Sequence, residues 1–142
     1  MGLAPGCVRL ERSQWQEMRD HVASLYPMEA CGLIGGEGEF ARLVIPVTNE
    51  ADSTVRFRMD PEQQVKAMLR IEAMGLELMG IYHSHPSGPD GPSEADYREA
   101  AYPEAAYLIW YRESGIWRCR AFDLFKDRGA QIPIHVLDEG AR

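Results

Sequence analysis

Apolar positions along the chain fall into short stretches that switch between a period of two and a period near 3.6. Val8-Arg9-Leu10 reads as a short opening strand. From Ser13 the residues Trp15, Met18, Val22 and Leu25 recur at helical spacing, with Gln16 completing a capping box and Pro27 ending the helix. Cys31 to Gly36 reads as a buried strand whose glycines let another backbone approach. Phe40 to Val47 alternates weakly around Arg42 and predicts a strand, followed by the polar loop 48–53. Val55, Phe57 and Met59 then alternate with Arg56 and Arg58, which predicts a half-buried strand with a basic outer face. Asp60-Pro61 opens a second helix, with Val65, Met68 and Leu69 as its inner stripe and Gly75 as its stop. The methionines here are core filler.

The second half is read the same way. Leu78 to Tyr82 is a short buried strand, and Ser93 to Ala101 reads as a third helix. Ala105 to Tyr111 is a strongly apolar strand, Glu113-Ser-Gly115 turns, and Ile116 to Phe122 returns as its hairpin partner. Gln131 to Leu137 is the last strand. Strands interrupted by three helices predict an α+β fold, with a central mixed, largely antiparallel sheet packed by the helices.

At 142 residues the chain is expected to form one domain, 1–142, with a full hydrophobic core. Its net charge of −7 argues against a nucleic-acid partner, because phosphate binding needs a basic footprint. Three cysteines without C-x-x-C spacing indicate neither a disulfide framework nor a cysteine-rich zinc site, and fit a reduced, cytoplasmic setting. The first residues lack the charged start and long apolar core of a signal peptide. No apolar run approaches the roughly 18–20 residues that span a membrane.

The stretch His83 to Asp96 concentrates the chemistry. His83 and His85 are two apart, so they share one face if the strand from Leu78 continues through them. Pro86, Gly88, Pro89, Gly91 and Pro92 then force a turn. Ser93 and Asp96 follow on one face of a helix start, where a capping box alone would account for both. Capping and metal binding are compatible, since a capped helix start holds Asp96 rigidly. Two imidazoles and a carboxylate, with a further position for water, form the donor set of catalytic rather than structural zinc. The other two histidines are read as bland. His21 is a solvated or partly packed residue of the first helix, and His135 is structural.

The whole stretch is His-x-His-Pro-x6-Ser-x2-Asp, and here the chain resembles the JAMM (MPN+) family of zinc metallopeptidases. Glu29, in Pro-Met-Glu29-Ala-Cys-Gly-Leu-Ile-Gly-Gly, matches the upstream glutamate that completes the family's site. Taken alone Glu29 would be a surface carboxylate, and Cys31 two residues on a small core residue or one facing the site. The resemblance implies Zn²⁺ held by His83, His85 and Asp96, Glu29 as general base towards a water, and Ser93 as donor to the oxyanion. It also implies a shape related to the zinc deaminases. Deaminase activity itself is disfavoured, because the H-x-E and P-C-x-x-C signatures are missing.

The reaction so implied is hydrolysis of an amide or isopeptide bond. Family members cut after the C-terminal tail of ubiquitin-like proteins, and small bacterial members process sulfur-carrier proteins of the same fold. The short chain favours such a carrier as substrate, with its tail added beside an exposed sheet edge. Arg56 and Arg58 read as solvated, or in a minority reading as contacts for a substrate carboxylate. Two alternatives are a non-catalytic interaction domain, separable by metal content and a Glu29→Gln test, and a small-peptide zinc peptidase, separable by comparing short peptides with a folded conjugate.

Overall fold

A computed structural model describes residues 3–126 and 129–138. In chain order it contains β1 (Val8–Glu11), α1 (Arg12–Leu25), β2 (Cys31–Glu37), β3 (Phe40–Val47), α2 (Pro61–Ala73), β4 (Glu77–His85), α3 (Glu94–Glu99), β5 (Ala106–Glu113), β6 (Ile116–Asp123), β7 (Ala130–Ile132) and β8 (Ile134–Leu137). The expected α+β class is what the structure has: one eight-stranded mixed sheet in the order β7-β6-β5-β4-β2-β3-β1-β8, packed by helices.

The sheet is strongly curled. Strands at a spacing of about 4.8 Å would put the edges of a flat eight-stranded sheet about 34 Å apart. Yet β7 and β8 lie at opposite edges with only Pro133 between them. The edges therefore meet, and Val8 N–H donates to the Pro133 carbonyl at 2.9 Å where they do. The single strand expected over 131–137 is thus two. Pro133 has no N–H to give to a ladder, so pairing passes from β6 on one side to β1 on the other.

The curl encloses one core, in which Met18 and Val22 of α1 pack with Leu10, Ile34, Tyr82, Leu108, Trp110 and Ile132. Leu25, expected in that stripe, is 39% exposed at the helix end. The helix also starts earlier than the Ser13–Gln16 pattern suggests. Chain leaving β1 enters α1 without a loop, and the capping box is Glu11 with Gln14, whose Oε1 accepts from Glu11 N–H at 2.8 Å.

On the other face α2 packs through Ala67 and Ile71 against Cys31, Leu33, Ile81 and Ile109. The expected stripe of Val65, Met68 and Leu69 is only partly right: Met68 packs, but Val65 and Leu69 are 57% and 58% exposed. Small Ala67 faces the sheet where Gly35 leaves room for Ile71, so the tight fit favours the smaller side chain. The β2 glycines mainly admit side chains. A Cβ at Gly32 would overlap the Tyr82 ring, and one at Gly36 would overlap Met79.

Residues 55–59 form no strand. Their one strand-type pairing is an isolated bridge between Asn49 and Met59, and Val55 is 77% exposed. Phe57 and Met59 still turn inward, as their alternation predicted. Among the described residues no helix is long and apolar enough to cross a membrane.

Candidate metal centre

Strand β4 runs through the centre of the sheet, antiparallel to β2 and parallel to β5, and continues to His85. Extended backbone places His83 and His85 on the face that Ile81 shares with the second core. Both are nearly inaccessible, at 1% and 4% exposure. The chain then turns, and Ser93 caps α3. Asp96, in the first turn of that helix, points its carboxylate back at both rings.

Two ring nitrogens and the two oxygens of one carboxylate meet. His83 Nε2 and His85 Nε2 are 3.1 Å apart, His83 Nε2 is 3.1 Å from Asp96 Oδ1, and His85 Nε2 is 3.2 Å from Asp96 Oδ2. Ligand nitrogens at about 2.0–2.1 Å from a tetrahedral ion lie about 3.3 Å apart, so the 3.1 Å between the two ring nitrogens, with the carboxylate facing both, fits a small divalent cation. The tautomer fits as well. His85 Nδ1 lies 2.9 Å from the Pro89 carbonyl, which can only accept, so the proton is on Nδ1 and the Nε2 lone pair faces the cluster. His83 Nδ1 is buried without a hydrogen-bond partner, and its ring is held by stacking on Phe57 at a centroid distance of 4.4 Å.

Electrostatics agree with that assignment. Burial pushes the His83 pKa down, keeping its ring in the neutral form a ligand needs. For Asp96 burial raises the pKa, but hydrogen bonds to His83 and His85 outweigh it and hold the carboxyl well below the usual range. His85 is displaced upward: burial opposes protonation, and the Asp96 bond, the Pro89 carbonyl and the charges of Asp96 and Glu29 together overcome it. These opposed shifts describe one buried cluster of convergent lone pairs and negative charge. Among the described residues it is the group of three that could hold a metal ion.

Glu29 lies in the segment between α1 and β2 and is 3% exposed. Burial raises its pKa to about 7, with the positive charge of a protonated His85 pulling it down and Asp96 pushing it up. It is therefore buried, close enough to sense two of the three cluster residues, and poised near neutrality. Cys31 is a core residue: its thiol donates to the Val47 carbonyl at 3.5 Å, and burial followed by the Glu29 charge pushes its pKa up to about 12. His21 is partly packed, as expected, with Nδ1 2.7 Å from the Tyr82 hydroxyl. His135 is exposed on the edge strand β8.

A cleft of about 620 Å³ opens beside Phe57, floored by Met59, Ile81 and Tyr107, with Arg56 and Arg58 in its wall. Arg58 pairs with Glu50 at 2.6 Å. Strand β4 is paired on both sides, and the sheet edges to which an extended tail could add are β7 and β8. Sequence reasoning missed Phe57 as the ring that stacks His83, and missed the Arg120–Asp90 ion pair at 3.0 Å on the turn that carries Pro89. The first was masked by an ordinary alternation. The second joins residues thirty apart and leaves no local signal.

A curled mixed sheet presenting two strand histidines to a helix-start aspartate, with a buried glutamate close by, is the arrangement expected of a hydrolase of the JAMM (MPN+) type. Residues 11–122 match the family described as prokaryotic homologs of the JAB domain, and the chain belongs to that family. It is 40% identical over 127 residues, 89% of this chain and 80% of the relative, to a probable TtuB-protein conjugate cleaving protease of Thermus thermophilus. It is 30% identical over 122 residues, 84% of each chain, to the CysO-cysteine peptidase of Mycobacterium tuberculosis. Among solved structures, that of protein DSY2949 from Desulfitobacterium hafniense superposes with a TM-score of 0.82 at 34% identity, covering 93% of this chain and 94% of that one.

Proposed function

We propose that the chain is a cytoplasmic zinc peptidase that cuts the amide or isopeptide bond following the C-terminal tail of a ubiquitin-like or sulfur-carrier protein. The convergence of His83, His85 and Asp96 within about one ion's reach carries this reading. Two imidazoles and one carboxylate suit zinc with a position left open. When bound there, zinc supplies a Lewis acid and acidifies the attacking water. Glu29 takes the proton of that water and delivers it to the leaving amine, a task open to a buried carboxylate beside the cluster. Ser93 Oγ accepts from Asp96 N–H at 3.1 Å, which leaves the hydroxyl proton free to donate to the developing oxyanion. The Pro89 carbonyl holds His85 in the ligating tautomer.

The substrate class rests on the relatives, one named for cleaving TtuB–protein conjugates and another for a CysO–cysteine bond. The cleft beside Phe57 offers the tail a seat next to the cluster. Three unpaired cysteines suit the reducing cytoplasm. Incubation with a carrier protein bearing a C-terminal cysteine, read by intact mass, tests the reading: loss of the cysteine is expected. Cleavage of short peptides with the folded conjugate left intact overturns it.

A further inference from the structure

Asn49 lies in the polar loop between β3 and α2, where its sequence context suggests only a solvated turn. It is 9% exposed, and its amide uses every hydrogen-bonding position it has. Nδ2 donates to the Glu29 carbonyl and to the Arg56 carbonyl, each at 3.1 Å. Oδ1 accepts from Ala51 N–H at 3.0 Å and from Arg58 N–H at 2.9 Å. One side chain thus joins three separate pieces of backbone. The other peptide group of Glu29 is fastened to the same loop, its N–H donating to the Ser53 carbonyl at 2.8 Å.

Glu29 sits ahead of β2 and has no sheet pairing of its own, since the β2–β4 ladder begins at Cys31 with His83. Its main chain is held on one side by the loop and on the other by β4, where Ala30 N–H donates to Ser84 Oγ at 2.8 Å. The loop thus fixes the two Glu29 groups that β4 does not reach, its N–H and its carbonyl oxygen. The loop is located in turn by Phe57, held between the two peptide groups that Asn49 binds and stacked on His83. A rigid chain of contacts runs from Glu29 through the Asn49 amide to the wall of His83. We propose that Asn49 is a positioning residue that sets Glu29 at its working distance from the His83–His85–Asp96 cluster. This rests on the reading of Glu29 as the general base.

Residue chemistry makes the position demanding. Aspartate keeps the two acceptances but turns a carboxylate on two carbonyl oxygens. Serine is too short to bridge the segments. Neither change touches the three cluster side chains, so metal content should be retained. Misplacing a catalytic group by about 1 Å costs on the order of 100-fold in rate, so Asn49→Asp and Asn49→Ser should each lower kcat by about ten-fold or more with little change in KM.

The decisive measurement is a cycle with Glu29→Gln, using a ubiquitin-like carrier protein bearing a C-terminal cysteine and following single turnovers by intact mass. If Asn49 acts through Glu29, its substitution should change the residual rate by less than about two-fold once the base is gone, because groups acting as a unit are not additive. Equal fold-losses in both backgrounds, or a loss confined to KM, overturn the proposal. So does an unfolded protein for both Asn49 variants by thermal melt, which marks a purely structural residue. A Glu29→Gln single variant that turns over like wild type shows instead that the base assignment has failed, and that variant alone reveals it.

Discussion

Ser93 and Asp96 bind each other twice: Ser93 N–H donates to Asp96 Oδ2 at 2.8 Å, and Asp96 N–H donates to Ser93 Oγ at 3.1 Å. The same carboxylate meets both histidines. The capping box thus also holds the proposed metal ligand Asp96 in place, and the local and chemical readings of these residues are compatible.

Ser93→Ala separates the two contributions of the hydroxyl. As a cap it should stabilise by about 1 kcal/mol, visible as a lower melting temperature. As donor to the oxyanion it should lower kcat by on the order of 10²–10³ while the metal stays bound. Kinetics and melts on this one variant check both, and a destabilised but fully active enzyme would reduce Ser93 to a cap.

Single substitutions of His83, His85 or Asp96 by Ala should abolish stoichiometric metal. An ion that binds only the folded protein stabilises it by about 4 kcal/mol at a thousand times its Kd. Chelation should therefore lower the melting temperature of the wild type by several degrees and leave that of the three variants unchanged. Full zinc content in both histidine variants would refute the ligand set.

Much of this site was legible because it is local. His83-x-His85 on a strand, a proline- and glycine-rich turn and Ser93-x-x-Asp96 on a helix start each follow from spacing. The strand and helix pattern likewise carried the mixed sheet. Contacts that join distant segments left no trace. Phe57 looked like one more alternating apolar residue, and Asn49 like loop. The break at Pro133 depends on two sheet edges meeting, which periodicity over 131–137 cannot report. Val65 and Leu69 misled for a related reason: the α2 face is chosen by how closely β2 approaches at Gly35, so Ala67 packs while larger residues stay outside.

Gly32→Ala should disturb the site from beneath. Its methyl group would overlap the Tyr82 ring, which is fully buried beside His83 and tied to His21. Overpacking of this kind costs about 1–3 kcal/mol. A denaturant midpoint lowered accordingly, with weaker metal retention, is expected. An unchanged midpoint would mean that the ring moves freely.

Glu29→Gln tests the base and carries its own pH signature. The carboxyl has a pKa of about 7 in the metal-free fold against an ordinary 4.5. Between these values the native state holds a proton that the unfolded chain has released, so stability falls as pH rises through that window and the loss is complete above about pH 7. Its size is on the order of 3 kcal/mol at most. Gln has no proton to release, so the metal-free variant should gain on wild type from pH 5 to pH 8. A bound cation favours the carboxylate and should shrink the difference. In the zinc-loaded enzyme the amide still fills the site but cannot carry a proton, so hydrolysis should drop by about 10²–10⁴ while the carrier conjugate still binds. The variant should then be recovered as a stable complex with uncut conjugate. Turnover close to wild type would place the base on another residue, and a stability difference that does not depend on pH would show that burial leaves the carboxyl's pKa unraised.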